Sequence, residues 1–368
     1  MALNQLLEDL VAIESVNPAY GGSGEAKVSE FVADYIRSLG LEPERQEVSP
    51  GRNNIFVRIG PTDQQTIMLE AHMDTVSVEG WASGSPFKLI ESNGKLWGRG
   101  ACDTKASLAV FMETLRYFAT QADNLKYGLI LAATVDEEAT QSGAYALARL
   151  KGDLGVTAAI TGEPTSCDVV HAHKGACHYK VVSKGKAAHG STPELGQSAI
   201  YGVNRLIGRM EEIANQLAQD ISIESGSLNV GLISGGSGFN IVPEYCEFHI
   251  DRRIGVGENL ETVREELQEI VTRESGAEFE TMLERPSLNT PADHWFAQEM
   301  SKSAQNIDPD RKLQSVAYMT NAVAYAEAAI PALVFGPGNI AQAHKCDEFI
   351  QIGEMEKALE ILIDFLSV

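Results

Sequence analysis

The chain has 368 residues, 44% of them apolar, which is more than one hydrophobic core usually serves, so two domains are expected. Its 51 acidic residues outnumber 29 basic ones and leave a net charge of -22, a surface that repels phosphate backbones and anionic lipid and argues against nucleic-acid or membrane partners. Five scattered cysteines without a CxxC pair fit reduced thiols in a cytoplasm rather than a disulfide framework or a structural zinc site.

Leu3, Leu6, Leu7, Leu10 and Val11 recur at helical spacing around Glu8 and Asp9, with no basic stretch before them. The segment reads as an amphipathic helix, not a signal peptide, and no window approaches the ~18 apolar residues of a membrane span. Thr66 to Leu69 is a short apolar run ending at Glu70-Ala71-His72. Leu108, Phe111, Met112, Leu115 and Phe118 form a helix stripe just after Asp103. Leu129 to Val135 reads as a strand buried on both faces, and Ala158 to Ile160 as another, ending at Gly162-Glu163. This alternation predicts an α/β domain of three layers with a mostly parallel sheet.

Near residue 174 the pattern changes. Cys177 to Val182 and Cys246 to Ile250 alternate as in a sheet with one wet face, and two amphipathic helices accompany them, around Ile200–Leu217 and Leu260–Val271. An α+β block over 175–284 is therefore expected, inserted into a domain built from 1–174 and 285–368. Pro331 to Phe335 reads as a returning strand, and Met355 to Leu366 as a closing helix.

Acidic residues and histidines stand just past the predicted strands. His72 and Asp74 lie two apart, a spacing that suits a metal-ligating imidazole oriented by a carboxylate. Asp103 lies in Gly98-Arg99-Gly100-Ala101-Cys102-Asp103-Thr104-Lys105, at the mouth of a helix, where it could instead be an N-cap. That stretch has no third glycine and no Walker pattern exists, so a nucleotide loop has little support. Asp136-Glu137-Glu138 ends the most apolar strand, and three adjacent carboxylates there are costly unless cations neutralise them. One glutamate can then ligate a metal while its neighbour faces the substrate as a base. Glu163 and His344 complete the set, the latter after a Gly336-Pro337-Gly338 loop. Two imidazoles and three carboxylates suit two zinc or similar divalent ions, one carboxylate bridging them at ~3.5–4 Å. Neither GxSxG nor HExxH occurs.

These motifs in this order resemble the co-catalytic zinc amidohydrolase and peptidase family of acetylornithine deacetylase, succinyl-diaminopimelate desuccinylase, the aminoacylases and glutamate carboxypeptidase. The shared pieces are AHMDT, GRGACDTK, DEE with Gly143-Ala144, GEPT, FNIVP, DRR and GPG before AH. The resemblance implies that His72, Asp103 and Glu163 bind one metal while Asp103, Glu138 and His344 bind the other. Asp103 would bridge, and Glu137 would be the general base. Zinc is implied, with cobalt or manganese as alternatives. A glutamate at position 163 favours the deacetylase and desuccinylase type, and the IDRR and GNIAQAH stretches look closest to acetylornithine deacetylase, an enzyme of arginine biosynthesis. The implied substrate is an N-acyl amino acid or a short peptide; desuccinylase-like, dipeptidase or carboxypeptidase activity is the alternative. The inserted block would be a lid through which a homodimer forms. Its His189 would support the oxyanion in the partner's site, and Asn240 and Arg253 (or Arg252) would grip the substrate carboxylate, together with Gly338. Thr320-Asn321-Ala322 departs from relatives that carry Thr-Asp-Ala here.

Overall fold

The strand Thr66–His72 is buried along its whole length, as an apolar run covered on both faces must be. In the computed structural model, which describes residues 3–82, 84–275 and 277–368, it lies at the middle of a sheet. The strand order is Glu44–Ser49, Arg52–Ile59, Gly128–Thr134, Thr66–His72, Val156–Thr161, Ala332–Val334, Val169–His173. Gly128–Thr134, Thr66–His72, Val156–Thr161 and Ala332–Val334 run parallel. Antiparallel neighbours flank these four on both sides. His72 pairs with Thr134, and Glu70 pairs with Thr161, so three parallel strands end at nearly one level. Everything that follows them in sequence emerges at the same edge of the sheet.

Alternation along Thr66–His72 sends Ile67, Leu69 and Ala71 into one core, shared with the helices Leu3–Ala12, Lys105–Ala119 and Ile352–Leu366. Lys105–Ala119 is almost entirely buried, which explains an apolar stripe broader than a surface helix needs. Its first residue anchors the N-terminal helix: Lys105 Nζ donates to the Leu10 and Ile13 carbonyls at 3.0 and 2.7 Å, at the helix's carboxyl end where carbonyls lack intrahelical i+4 donors. Met68 and Glu70 take the other face, on the side of the short helices Ser142–Ala148 and Ala322–Glu327. The result is helix, sheet and helix in three layers.

The chain divides into two units. The residues up to His171, Thr290–Gln314 and Thr320–Val368 make the first; Ala172–Asn289 with Ser315–Met319 make the second. Within the second unit, Ser227–Gly235, Tyr245–Ile254, Gly175–Lys184 and Glu278–Arg285 form an antiparallel sheet in that order. Ala199–Leu217 and Leu260–Ser275 cover one face, closing a core that includes Tyr179, Val181, Leu206, Met210, Phe248 and Ile250. The intervening residues Lys180 and Glu247 face away and pair at 3.1 Å, the wet face the alternation predicts. No helix among the described residues is long and apolar enough to cross a membrane.

Candidate metal centre

The carboxyl ends of the parallel strands deliver the acidic residues and histidines to one place, as open α/β sheets generally do. Thr66–His72 ends on His72 itself. Gly128–Thr134 leads into Asp136-Glu137-Glu138, and Val156–Thr161 into Gly162-Glu163. Gly162 must be glycine, because a Cβ there would lie 2.7 Å from Ser107 and 2.8 Å from Phe111 on the buried helix. Ala332–Val334 leads through the Gly336-Pro337-Gly338 loop toward His344. Asp103 is not the N-cap of Lys105–Ala119; Thr104 holds that position, and its hydroxyl donates instead to the Gly162 carbonyl at 2.7 Å.

Asp103 sits between two histidines. Its Oδ1 is 3.3 Å from His72 Nε2, and its Oδ2 is 3.5 Å from His344 Nε2. Glu163 Oε1 approaches the same His72 nitrogen at 3.6 Å, and Glu138 Oε2 approaches the His344 nitrogen at 3.1 Å. Two groups have donor atoms within 4.8 Å of one another: His72, Asp103 and Glu138, and His72, Glu137 and Glu163. His344 and Asp136 both adopt the left-handed backbone region, at φ 62° and 70°, an unfavourable conformation for residues with a Cβ and one that clusters at functional sites.

This donor set fits two divalent cations. Burial pushes Glu163 well above the ordinary carboxylate range, with the Asp103 charge adding to it. Burial and Asp103 likewise push Glu138 up to about 7. Glu137 is also driven up by burial, His72 offsetting only part of the effect, and Glu138 and Asp103 raising it further. The hydrogen bond to Glu138 raises His344 to about 9. Burial alone would lower His72, but Asp103 and Asp74 override it and push the imidazole well up. Without cations, protons must neutralise the cluster; divalent ions would displace those protons and meet neutral imidazoles and bare carboxylates. Glu138 Oε1 is buried without a hydrogen-bond partner, an acceptor still in need of a positive group.

Around these groups lies a shell that sequence reasoning missed, apart from Asp74. His72 Nδ1 is 3.0 Å from the Asp74 carbonyl and 3.5 Å from its carboxylate, so the proton belongs on Nδ1 and the Nε2 lone pair is left to face Asp103. The Asp74 carboxylate accepts from the Glu137 and Glu138 amides at 3.1 and 3.0 Å and from Asn17 Nδ2 at 2.7 Å. Burial opposes its ionisation, but these donors and His72 hold its pKa below the usual value. Asp136, first of the three consecutive carboxylates, belongs to this shell: Arg52 (3.0 Å) and Asn17 (3.1 Å) hold it. Arg52 in turn forks onto buried Glu25 at 2.8 and 2.5 Å. Glu348 accepts from Arg99 and from the Gly100, Cys102 and Asp103 amides, fixing the loop that carries Asp103. Glu348 stands four residues after His344, and its spacing to that histidine was its only sequence signal.

Gly338 has φ 88°, and a Cβ there would lie 2.5 Å from Cys102 Sγ, so glycine is required. Its amide already donates to Glu354 at 2.7 Å. Asn321 is buried, and its Nδ2 donates to Glu70 at 2.9 Å, beneath the strand that ends on His72. An aspartate in that place would set two carboxylates against each other.

In the second unit His189 is exposed, its Nδ1 2.7 Å from the Ser191 hydroxyl. It sits on a two-residue ribbon paired with Ile241, and the Gly190 amide donates to the Asn240 carbonyl at 2.7 Å, so His189 and Asn240 are neighbours. Arg253 is not with them. It lies near the far end of Tyr245–Ile254, eight residues or about 26 Å of strand from Tyr245. Arg252 is buried against Glu258 at 2.6 Å, whereas Arg253 is partly exposed beside Asp251 at 3.0 Å.

Comparison with known proteins agrees with this geometry. Residues 68–367 match the family model described as peptidase family M20/M25/M40. The chain is 31% identical over 366 residues to the acetylornithine deacetylase of Vibrio parahaemolyticus serotype O3:K6, covering 95% of this chain and 93% of that protein. Its fold is similar to that of aminopeptidase PepT from Bacillus cereus, with a TM-score of 0.82 at 22% identity, covering 99% of this chain and 97% of the other. It is also similar to a dinuclear metal-binding peptidase of the M20 family from Bacillus subtilis, with a TM-score of 0.75 at 15% identity over 99% and 96% of the two chains. The chain belongs to peptidase family M20/M25/M40 and is a metal-dependent amidohydrolase.

Proposed function

We propose that the protein removes the acyl group from an N-acyl amino acid, as an acetylornithine deacetylase does, at a centre of two divalent cations. The observation that carries this reading is the placement of Asp103 between His72 and His344, with Glu163 on the first side and Glu138 on the second. His72, Asp103 and Glu163 would hold one cation; Asp103, Glu138 and His344 the other. Imidazole and carboxylate donors without a thiolate suit zinc, and also cobalt or manganese. When bound, the cations would supply Lewis acidity, polarising the scissile carbonyl and acidifying the attacking water.

The protein's own groups do the rest. Glu137 takes a proton from the attacking water and returns it to the departing amine nitrogen, and its burial-raised pKa suits a group that must hold a proton between the two steps. Asp74 keeps His72 in the required tautomer and aims the Glu137 and Glu138 amides. His189 donates to the oxyanion. Asn240 and Arg253 bind the substrate carboxylate, Arg253 being favoured over Arg252, which is tied to Glu258, and Gly338 shapes the loop before His344.

The separation of Arg253 from His189 and Asn240 along the sheet favours a site shared between two copies of the chain. Ser227–Gly235 is an edge strand carrying exposed Leu232 and Ile233, and Tyr201 is 71% exposed on the neighbouring helix. An apolar edge of this kind supports a homodimer through the second unit. Five cysteines free of disulfides fit a cytoplasmic protein.

A panel of acetylornithine, acetylcitrulline, succinyl-diaminopimelate and dipeptides, assayed with zinc and with cobalt, tests the substrate. Acetylornithine should give the highest kcat/KM. Preference for the succinylated compound or for dipeptides would replace that reading with the desuccinylase or peptidase one. Hydrolysis that survives complete chelation of divalent ions would refute the two-cation mechanism.

A further inference from the structure

We infer that Asn17 is a positioning residue of the metal centre, acting through Asp74 and Asp136. It lies in the segment Ser15-Val16-Asn17-Pro18, outside every motif that marks the site. Its amide nitrogen donates to two different buried carboxylates, Asp74 Oδ2 at 2.7 Å and Asp136 Oδ1 at 3.1 Å. An amide NH2 has two hydrogens, so both are committed. Its Oδ1 accepts from the Ala19 amide at 2.9 Å, and the side chain is 1% exposed. Every polar atom of the side chain is therefore in use. A neutral double donor is the chemistry that two buried anions need when the centre beside them must keep its own charge balance.

The consequence reaches the ligands by two routes. Asp74 positions His72 and both the Glu137 and Glu138 amides. Asp136 sets the left-handed turn from which Glu137 and Glu138 project. The same segment also grips the outside of the centre, where the Tyr20 hydroxyl donates to the Glu138 carbonyl at 3.0 Å. Asn17 is itself fixed by backbone pairing, its amide donating to Thr75 at 2.9 Å while the Thr75 amide donates to Ser15 at 3.0 Å. Removing the amide leaves Asp74 without its one side-chain amide donor and both carboxylates underpaired, so His72, Glu137 and Glu138 lose their common reference.

The inference rests on the two-cation reading above. It is tested by titrating the metal-free full chain with Co2+ and following the visible ligand-field absorption. Asn17→Leu keeps the branched shape and removes the donors; Asn17→Ser keeps one hydroxyl donor. Val16→Ala, in the same segment, serves as a control for local loosening. Disturbing a group that orients ligands typically costs 10–100-fold in affinity, so Asn17→Leu should weaken Co2+ binding by at least about tenfold and alter the spectrum. Asn17→Ser should fall between, and Val16→Ala should lower the melting temperature while binding Co2+ as the unaltered protein does. Binding within twofold of normal in Asn17→Leu, or in Asn17→Ser if the leucine variant does not fold, overturns the role of Asn17 alone. Failure of the unaltered chain to bind Co2+ overturns the two-cation reading and this inference with it.

Discussion

The Asp103 amide donates to Glu348 Oε1 at 2.9 Å, a bond that ties the residue supplying the central carboxylate to the segment carrying His344. The Cys102 amide shares the same oxygen at 2.7 Å, while Arg99 and the Gly100 amide occupy Oε2 at 2.7 and 3.0 Å. Four donors on one fully buried carboxylate leave no room for a substitute with hydrogens of its own. Glu348→Gln should set an NH2 against two N–H donors and strip buried Arg99 of its counter-charge. Breaking a buried pair in this way costs about 3–5 kcal/mol. The variant should melt several degrees lower and bind Co2+ more weakly, measured by calorimetry; a melting temperature and affinity equal to those of the unaltered protein would refute the organising role of Glu348.

How much of this could be read beforehand depended on the kind of signal. His72, Glu138 and Glu163 each follow an apolar strand, so the same periodicity that predicts the strands also marks what stands at their ends. Parallel pairing at one level then brings the three together, which the strand-helix alternation implied. Asn17, Glu25, Arg52 and Glu348 carry no such mark. Their partners are main-chain amides, carboxylates or guanidinium groups as far as 249 residues away, and a backbone N–H looks the same whatever residue bears it. Asp136 was legible as one of three carboxylates but not as the one turned away toward Arg52. That choice depends on its positive φ and on a salt bridge across the sheet. The antiparallel strands Glu44–Ser49 and Arg52–Ile59 were also missed, since charged residues interrupt the apolar pattern of both.

His173 gives the fold an acid-sensitive point. It is fully buried, and burial lowers its pKa from 6.5 to about 4, its bond to the Lys174 carbonyl offsetting only part of the effect. Below pH 6.5 the unfolded chain takes up a proton that the folded chain refuses until about pH 4. The stability tied to the neutral imidazole is thus complete above pH 6.5 and declines as the pH falls toward 4. At about pH 5 the loss should be about 2 kcal/mol. Thermal melts followed by circular dichroism at pH 7 and pH 5 should show His173→Leu losing less between the two conditions than the unaltered protein. Equal losses would refute the effect.

Glu137 and Glu138 are adjacent, yet the proposed roles separate them, base from ligand. Glu137→Gln cannot accept the proton from water, and loss of general base catalysis costs on the order of 10²–10⁴-fold in kcat. It should still bind two Co2+ per chain, since the proposed ligand set is intact. Glu138→Gln should lose one equivalent of Co2+. The metal content of both variants, measured beside their turnover, distinguishes the assignments; full turnover in Glu137→Gln would reject the base.

His189 offers the sharpest test of a shared site. It is exposed at the ribbon beside Asn240, and no ligand of the proposed centre lies in its unit. Loss of an oxyanion donor costs about 10²–10³-fold in kcat, so His189→Ala should be nearly inactive while retaining its metal. The Glu137→Gln variant is inactive for a different reason. If His189 serves the partner's site, a dimer of the two variants contains one site with both Glu137 and His189 intact and one site lacking both. Random reassociation of equal amounts makes half the dimers mixed, each with half its sites restored, so about a quarter of normal activity should return. If His189 serves its own subunit, every site in the mixture lacks one group and activity stays at the level of the separate variants. The two outcomes differ by more than an order of magnitude, well within the reach of a steady-state assay.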